Sequence, residues 1–320
     1  MDEKAISGSE IKDIINKITA EPGGFEVYVI TKIEPYLKKV RFVEDGKNNL
    51  RYRIRDSILQ SLKEKYGSEA AEYVSADKIA DNQHKFYIIP ITERYDPLAV
   101  LRTSAGKFCK DDINSATGIA YLIRTGGISV WVYQHAWSIL IPNKTRKHKM
   151  GRLISSNHGD EFEELNDPTM TFTEKADLLV IKNNIITSDI KLLQNSFGFQ
   201  DYIKIRADKV INTIQEKGIV KNIDKLVDYV QRGNGKTKYA KKMMRIADSK
   251  VLKMDPDTLW ENIHSSNRWN GKIKEENGAF VLDSYTNVEE LIDLLDERYT
   301  RSDITGEEYD TEVKQVAAPV

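Results

Sequence analysis

The hydrophobic period of this chain changes once, near Ser188, and that change constrains the fold more than any other feature of the sequence. Before it, apolar residues alternate as strands do. After it they recur every three or four residues, as on helices. Phe25–Ile30, Lys39–Val43 and His84–Pro90 read as extended runs, with helical spacing only at Ile11, Ile14, Ile15 and Ile18 behind a Ser9 cap, and across Arg55–Tyr66. Gly118–Arg124 and Ile128–Tyr133 form the plainest hairpin, joined at Thr125-Gly126-Gly127, where glycine supplies positive φ. Trp137–Ile141 adds a strand, and Leu178–Ile181 with Ile185–Thr187 gives a second hairpin. Beyond Ser188 the helices expected are Phe199–Lys217, Ile223–Arg232, Lys236–Ser249, Pro256–His264 and Val288–Arg298, interrupted by a hairpin of Gly271–Lys274 and Ala279–Leu282. The expected class is α+β: an antiparallel sheet with helices over 1–190, a mainly helical domain with a small β-hairpin over 191–310, and a frayed tail over 311–320.

Composition narrows the chemistry. With one cysteine, Cys109, intrachain disulfides and thiolate-rich zinc cages are excluded, and Cys109 reads as structural in a reducing compartment. The start, Met1-Asp2-Glu3-Lys4, lacks a basic and then apolar leader, and no run approaches the ~20 apolar residues of a membrane span. A cytoplasmic protein is therefore expected. His84, His135, His148, His158 and His264 are scattered without ligand spacing, and His135 reads as a hydrogen-bonded core histidine. Gly235-Lys236-Thr237 lacks the first glycine of a phosphate loop, that position being Val230, and follows a helix. No cofactor or metal is expected.

The charge total, 48 basic residues against 49 acidic, taken by itself argues against a polyanion partner. Resolved along the chain it does not. From Gln231 to Lys253 eight cations face only Asp248, and Lys236, Lys238, Lys241, Lys242 and Arg245 make a basic helix face opposite Tyr239, Met243 and Ile246. Lys144, Arg146, Lys147, Lys149 and Arg152 form an acid-free cluster after a strand, and Arg51, Arg53 and Arg55 a weaker group. Acids crowd the C-terminus from Glu289 to Glu312, outnumbering Arg298, Arg301 and Lys314. The two basic clusters suit phosphates of double-stranded DNA read without base specificity; they also suit acidic surfaces of neighbouring subunits, and either is equally a solvated face. The one catalytic candidate is Asp177 followed by Asp189-x-Lys191, an arrangement that in metal-dependent nucleases holds Mg²⁺ and steadies the attacking water. Asp189 also suits a helix cap.

Three stretches resemble one family: GIAYLIRTGGISVWVY from Gly118 to Tyr133, ADLLVIKNNIITSDIKLLQNSFGFQ from Ala176 to Gln200, and VEELIDLLDERYTRSDITGEEYD from Val288 to Asp310. These resemble the KwaB-like family, the soluble subunit of the two-gene Kiwa anti-phage system. The resemblance implies a cytoplasmic protein that self-associates, as a homodimer or larger assembly, and the reading taken with it is a non-enzymatic one. It further implies binding of double-stranded DNA without strong sequence preference, and work with a KwaA-like transmembrane partner at the membrane to restrain phage DNA transactions. It carries over no catalytic residue. At Asn195-Ser196-Phe197-Gly198-Phe199 the chain departs from the acidic residue expected beside the first aromatic.

Overall fold

The structure is a computed structural model and describes residues 6–42, 49–78, 85–135, 139–140, 155–158, 161–164, 169–170, 172–232, 238–247, 249–266, 268–297, 299–301 and 308–310, with side chains from 136 to 171 and from 298 onward outside that description. Packing divides the chain into two units, Met1–Val74 with His84–Lys191, and Ser75–Gln83 with Leu192–Val320. The class is α+β.

The first unit is built on α1 (Gly8–Ala20), β1 (Gly24–Thr31), β2 (Leu37–Lys39), α2 (Leu50–Lys65), β3 (Tyr73–Ser75), β4 (Phe86–Pro90), β5 (Gly106–Lys107), β6 (Ala116–Thr125) and β7 (Ile128–His135). Then come β8 (Ile139–Leu140), β9 (Ser155–His158), β10 (Glu161–Glu164), β11 (Thr169–Met170), β12 (Leu178–Ile181), β13 (Asn184–Thr187) and α3 (Ile190–Ser196), whose last residues belong to the second unit. Nine strands form one sheet in the order β3-β4-β13-β12-β7-β6-β1-β2-β5. Every pairing from β4 across to β2 is antiparallel, and β5 joins β2 in parallel. The sheet's odd-numbered positions on β1, β6 and β12, and the matching ones on β7 and β4, face α1 and α2: Phe25, Val27, Ile119, Tyr121, Ile123, Val130, Val132, Leu179 and Phe86 close over Ile11, Ile15, Ile18, Ile58 and Leu62. Fully burying each such side chain contributes about 1.5–3 kcal/mol.

Local chemistry explains where these elements start. The Ser7 side chain, not Ser9, accepts the Glu10 N–H and caps α1. Helix α2 begins five residues before the expected Arg55 because Asn49 caps it, accepting the Arg51 N–H at 2.9 Å. The extended run expected at Lys39–Val43 pairs earlier, over Leu37–Lys39. In the main hairpin Gly126 (φ 53°) and Gly127 (φ 79°) make a two-residue turn, and Thr125 closes the strand, its Oγ1 accepting the Gly23 N–H. Cys109, expected to be structural, is exposed.

The second unit contains α4 (Phe199–Glu216), β14 (Val220–Lys221), α5 (Ile223–Gln231), α6 (Lys238–Ile246), α7 (Lys250–Lys253), α8 (Pro256–Ser265), β15 (Glu275–Glu276), β16 (Ala279–Val281), α9 (Tyr285–Leu295), β17 (Tyr299–Arg301) and β18 (Glu308–Asp310). Its core gathers Phe199, Ile203, Ile214, Leu226, Met243, Ile246, Val288, Ile292 and Leu295. The expected first hairpin strand, Gly271–Lys274, is displaced to Glu275–Glu276 because Asn277 (φ 54°) and Gly278 (φ 75°) form the turn. Strand β14 pairs in parallel with β16. Helix α9 starts at Tyr285 behind a reciprocal Ser284–Asn287 capping box, three residues before the expected Val288. The Arg206 guanidinium donates to both carboxylate oxygens of buried Asp77, holding the 3-10 turn Ala76–Lys78 within this unit. The expected tail, 311–320, lies outside the described residues.

Candidate functional site

The acidic candidates meet at one end of the β12–β13 hairpin. Thr187 Oγ1, fully buried, donates to the Asp177 carbonyl at 2.9 Å and accepts the Asp189 N–H at 2.9 Å, so one hydroxyl ties the two acids together. The Asp177 carboxylate is itself buried: Oδ1 accepts from Lys175 at 2.9 Å, and Oδ2 accepts the backbone N–H of His135 at 2.8 Å. Oδ2 thus latches the end of β7 to the start of β12 while Oδ1 holds the nearby Lys175, and the two donors explain why the carboxylate tolerates burial. Lys191 stands exposed in the first turn of α3. Among the described residues no group of three or more potential ligands is placed to hold a metal ion.

Sequence reasoning missed Lys65 in this cluster. The residue is exposed, and its ammonium lies 5.4 Å from the Tyr66 ring centroid and 5.9 Å from that of Phe86. Partial burial lowers its pKa, against the charges of Asp177 and Asp189, which raise it; Lys175 lowers it further. His135 is half-buried, with Nδ1 3.0 Å from the Tyr133 hydroxyl, as expected for a hydrogen-bonded histidine. Its pKa is lowered by burial, with Asp177 opposing. The only sequence signal for Lys65 is its place beside an apolar tyrosine at a helix end.

The basic candidates are distributed differently from the expected face. Lys144, Arg146, Lys147, Lys149, Arg152 and Lys236 lie outside the described residues, as does the Lys238 side chain. On α6, Ala240, Met243, Met244 and Ile246 are buried as the apolar face requires. Lys241 and Lys242 are half-exposed and have no carboxylate partner among the described residues. Arg245 does not simply look out. Its guanidinium pairs with Asp296 at 2.9 Å, with side-chain exposures of 26% and 11%, because the last turn of α9 packs beside α6. Lys250 and Lys253 on the following α7 are both exposed. Some acids of the C-terminal phrase are likewise used internally: Glu289 accepts from the Tyr229 hydroxyl at 2.5 Å.

The β6–β7 hairpin, the acid-bearing hairpin and the helices through α9 all lie inside residues 113–305, and over that span the chain matches a model of the Kiwa protein KwaB-like family. The chain belongs to the KwaB-like family. Membership implies a role in Kiwa anti-phage defence. No curated protein and no solved structure matches the chain. Asp177, Asp189, Lys191 and α6 fall within the KwaB-like span; α1, β1, β2 and α2 precede it. Among the described residues no helix is long and apolar enough to cross a membrane.

Proposed function

We propose that this KwaB-like chain acts in Kiwa defence as a non-enzymatic subunit that binds double-stranded DNA through phosphate contacts, self-associates, and works with a KwaA-like transmembrane partner that recruits it from the cytoplasm to the membrane. The observation that carries the DNA reading is the set of Lys241, Lys242 and Lys250 in the second unit, on α6 and α7. These lysines have no carboxylate partner among the described residues, although acids are as numerous as cations in the chain. Unpaired ammonium groups on a packed helix release counterions when they meet phosphate. They carry no base-reading geometry, which suits binding without sequence preference. The acid-free run Lys144–Arg152 extends the same chemistry.

Fluorescence anisotropy with a labelled duplex across a salt series tests this. Lys241→Gln with Lys242→Gln is expected to weaken binding equally for unrelated sequences and to reduce the salt slope by about 0.9 per lost contact. Full binding after neutralising both α6 and Lys144–Arg152 overturns the reading. Intact co-purification with the membrane partner but no DNA affinity would make the chain an assembly subunit only.

A second reading, a metal-dependent nuclease, has one observation in its favour: Thr187 joins the backbones of Asp177 and Asp189, and the charges of both act on the Lys65 ammonium. Plasmid cleavage in Mg²⁺ or Mn²⁺ that Asp189→Asn abolishes would support it. Intact plasmid with the membrane partner present would remove it.

A further inference from the structure

A cleft of about 300 Å³ opens in the first unit where β2 ends, so that the first half of β1, paired with β6 on one side, has no strand on the other. Its walls come from β1, from the chain leaving β2, and from the start of α2, and three of its lining residues are cations: Lys39, Arg41 and Arg51. Arg51 fills part of the missing strand's role, since its Nε donates to the Phe25 carbonyl at 3.0 Å and satisfies a sheet-edge acceptor. Lys39 is held by Glu26, whose other oxygen takes a 2.7 Å bond from Arg124. One carboxylate therefore orients two cations at the same place. Arg41 is exposed and has no partner among the described residues. Asn49 and Phe42 complete the wall with a buried amide and a half-buried ring. The first turn of α2 contains no acid and does contain Arg51 and Arg53, so the positive end of the helix adds to the cations instead of offsetting them.

Lys39 and Arg124 are paired with Glu26 and Arg51 with the Phe25 carbonyl, which leaves four cations to one carboxylate among the described residues and Arg41 without a partner there. We propose that this cleft binds the phosphate of a nucleotide, with Arg41 and Lys39 as the principal contacts and Arg51 and Arg124 behind them. Its volume sits at the small end of ligand pockets, near what a mononucleotide occupies. Planar guanidinium forks suit phosphate oxygens. Glu26 offers the acceptor that a sugar hydroxyl or base amine can meet. The same phosphate chemistry is available from a free nucleotide or from the 5′ end of a single strand. This site is independent of the DNA reading of α6, and it precedes the KwaB-like span except for Arg124.

The test is a titration of the full-length protein with a fluorescent nucleoside triphosphate, competed by unlabelled triphosphate, monophosphate, nucleoside, and single-stranded oligonucleotides with and without a 5′ phosphate. Affinity is expected to rise from nucleoside to triphosphate. Arg41→Glu, at an exposed position that makes no hydrogen bond or ion pair among the described residues, is expected to weaken it by about tenfold or more. Lys241→Gln with Lys242→Gln, in the other unit, is expected to leave it unchanged. Competition by the phosphorylated oligonucleotide alone would assign the cleft to strand ends, sustaining the phosphate chemistry. Absence of binding by every phosphorylated species, equal binding of nucleoside, or an Arg41→Glu variant that binds as the parent does would overturn the proposal.

Discussion

Glu26 shows how one residue serves both the sheet and the cleft beside it. Burial pushes its pKa up, but hydrogen bonds from Lys39 and Tyr28 and the charges of Lys39 and Arg124 outweigh that and leave it below the ordinary value of 4.5. Tyr28 responds in the opposite sense: burial and its bond to Glu26 push its hydroxyl up to about 12. A carboxyl depressed in the folded state stabilises the fold at pH values above its unfolded pKa, and that contribution is lost as pH falls through the folded value. Glu26→Gln is therefore expected to lower stability at pH 7 and to lessen its loss on acidification, which denaturant midpoints measured from pH 7 down to pH 3 would reveal. Parallel curves for parent and variant would show that Lys39 and Arg124 contribute no ionic stabilisation. Asp177 is the contrasting case. A sequence reading sees an acid at nuclease spacing, whereas both of its oxygens are engaged, one by the His135 N–H of β7 and one by Lys175 just before β12. Spacing cannot distinguish these roles, because it says nothing about which donors converge on a carboxylate.

Individual elements divide sharply into those that a linear pattern announces and those it hides. The β6–β7 hairpin is legible because alternation and a Gly-Gly turn agree, and α4, α5 and α8 are legible because their apolar faces are long enough to show a period. Strand β14 is invisible in sequence: it is two residues long and exists only because distant β16 lies beside it in parallel. The cleft is hidden for the same reason. Arg51 looks like part of a helix-surface run with Arg53 and Arg55 until the unpaired edge of β1 gives its guanidinium a carbonyl to bind. Gly118 carries another silent constraint, since a Cβ there would lie 2.5 Å from Tyr133 Cε2 and 2.8 Å from the Gln134 carbonyl oxygen. Tyr133 cannot move away freely, being buried and bonded to His135. Gly118→Ala is thus expected to destabilise the first unit by about 1–3 kcal/mol, and thermal unfolding would measure it. An unchanged midpoint would mean that the hairpin can slide or twist to make room.

At the scale of the whole molecule, the near-balance of 48 basic and 49 acidic residues is partly a balance inside the second unit itself. Asp296, from the acidic C-terminal phrase, holds Arg245 of the basic helix, so one cation that could meet a polyanion is already neutralised. If the proposed DNA binding holds, such pairing ties the affinity to the acids as well as to the lysines. Asp296→Asn is the variant that isolates this effect, because it keeps the side-chain volume and removes only the charge. The partly buried pair also supports the fold, so a modest drop in the unfolding midpoint is expected alongside. If the DNA reading of α6 holds, the variant should bind duplex more tightly at low salt, and its log affinity should fall more steeply with log salt, by up to about 0.9 in slope for one added phosphate contact. Anisotropy titrations at several salt concentrations would measure both quantities. A variant that remains folded yet binds DNA with the parent's affinity and slope would mean that Arg245 stays withheld from phosphate whatever its partner. The proposed DNA contact would then rest on lysines alone.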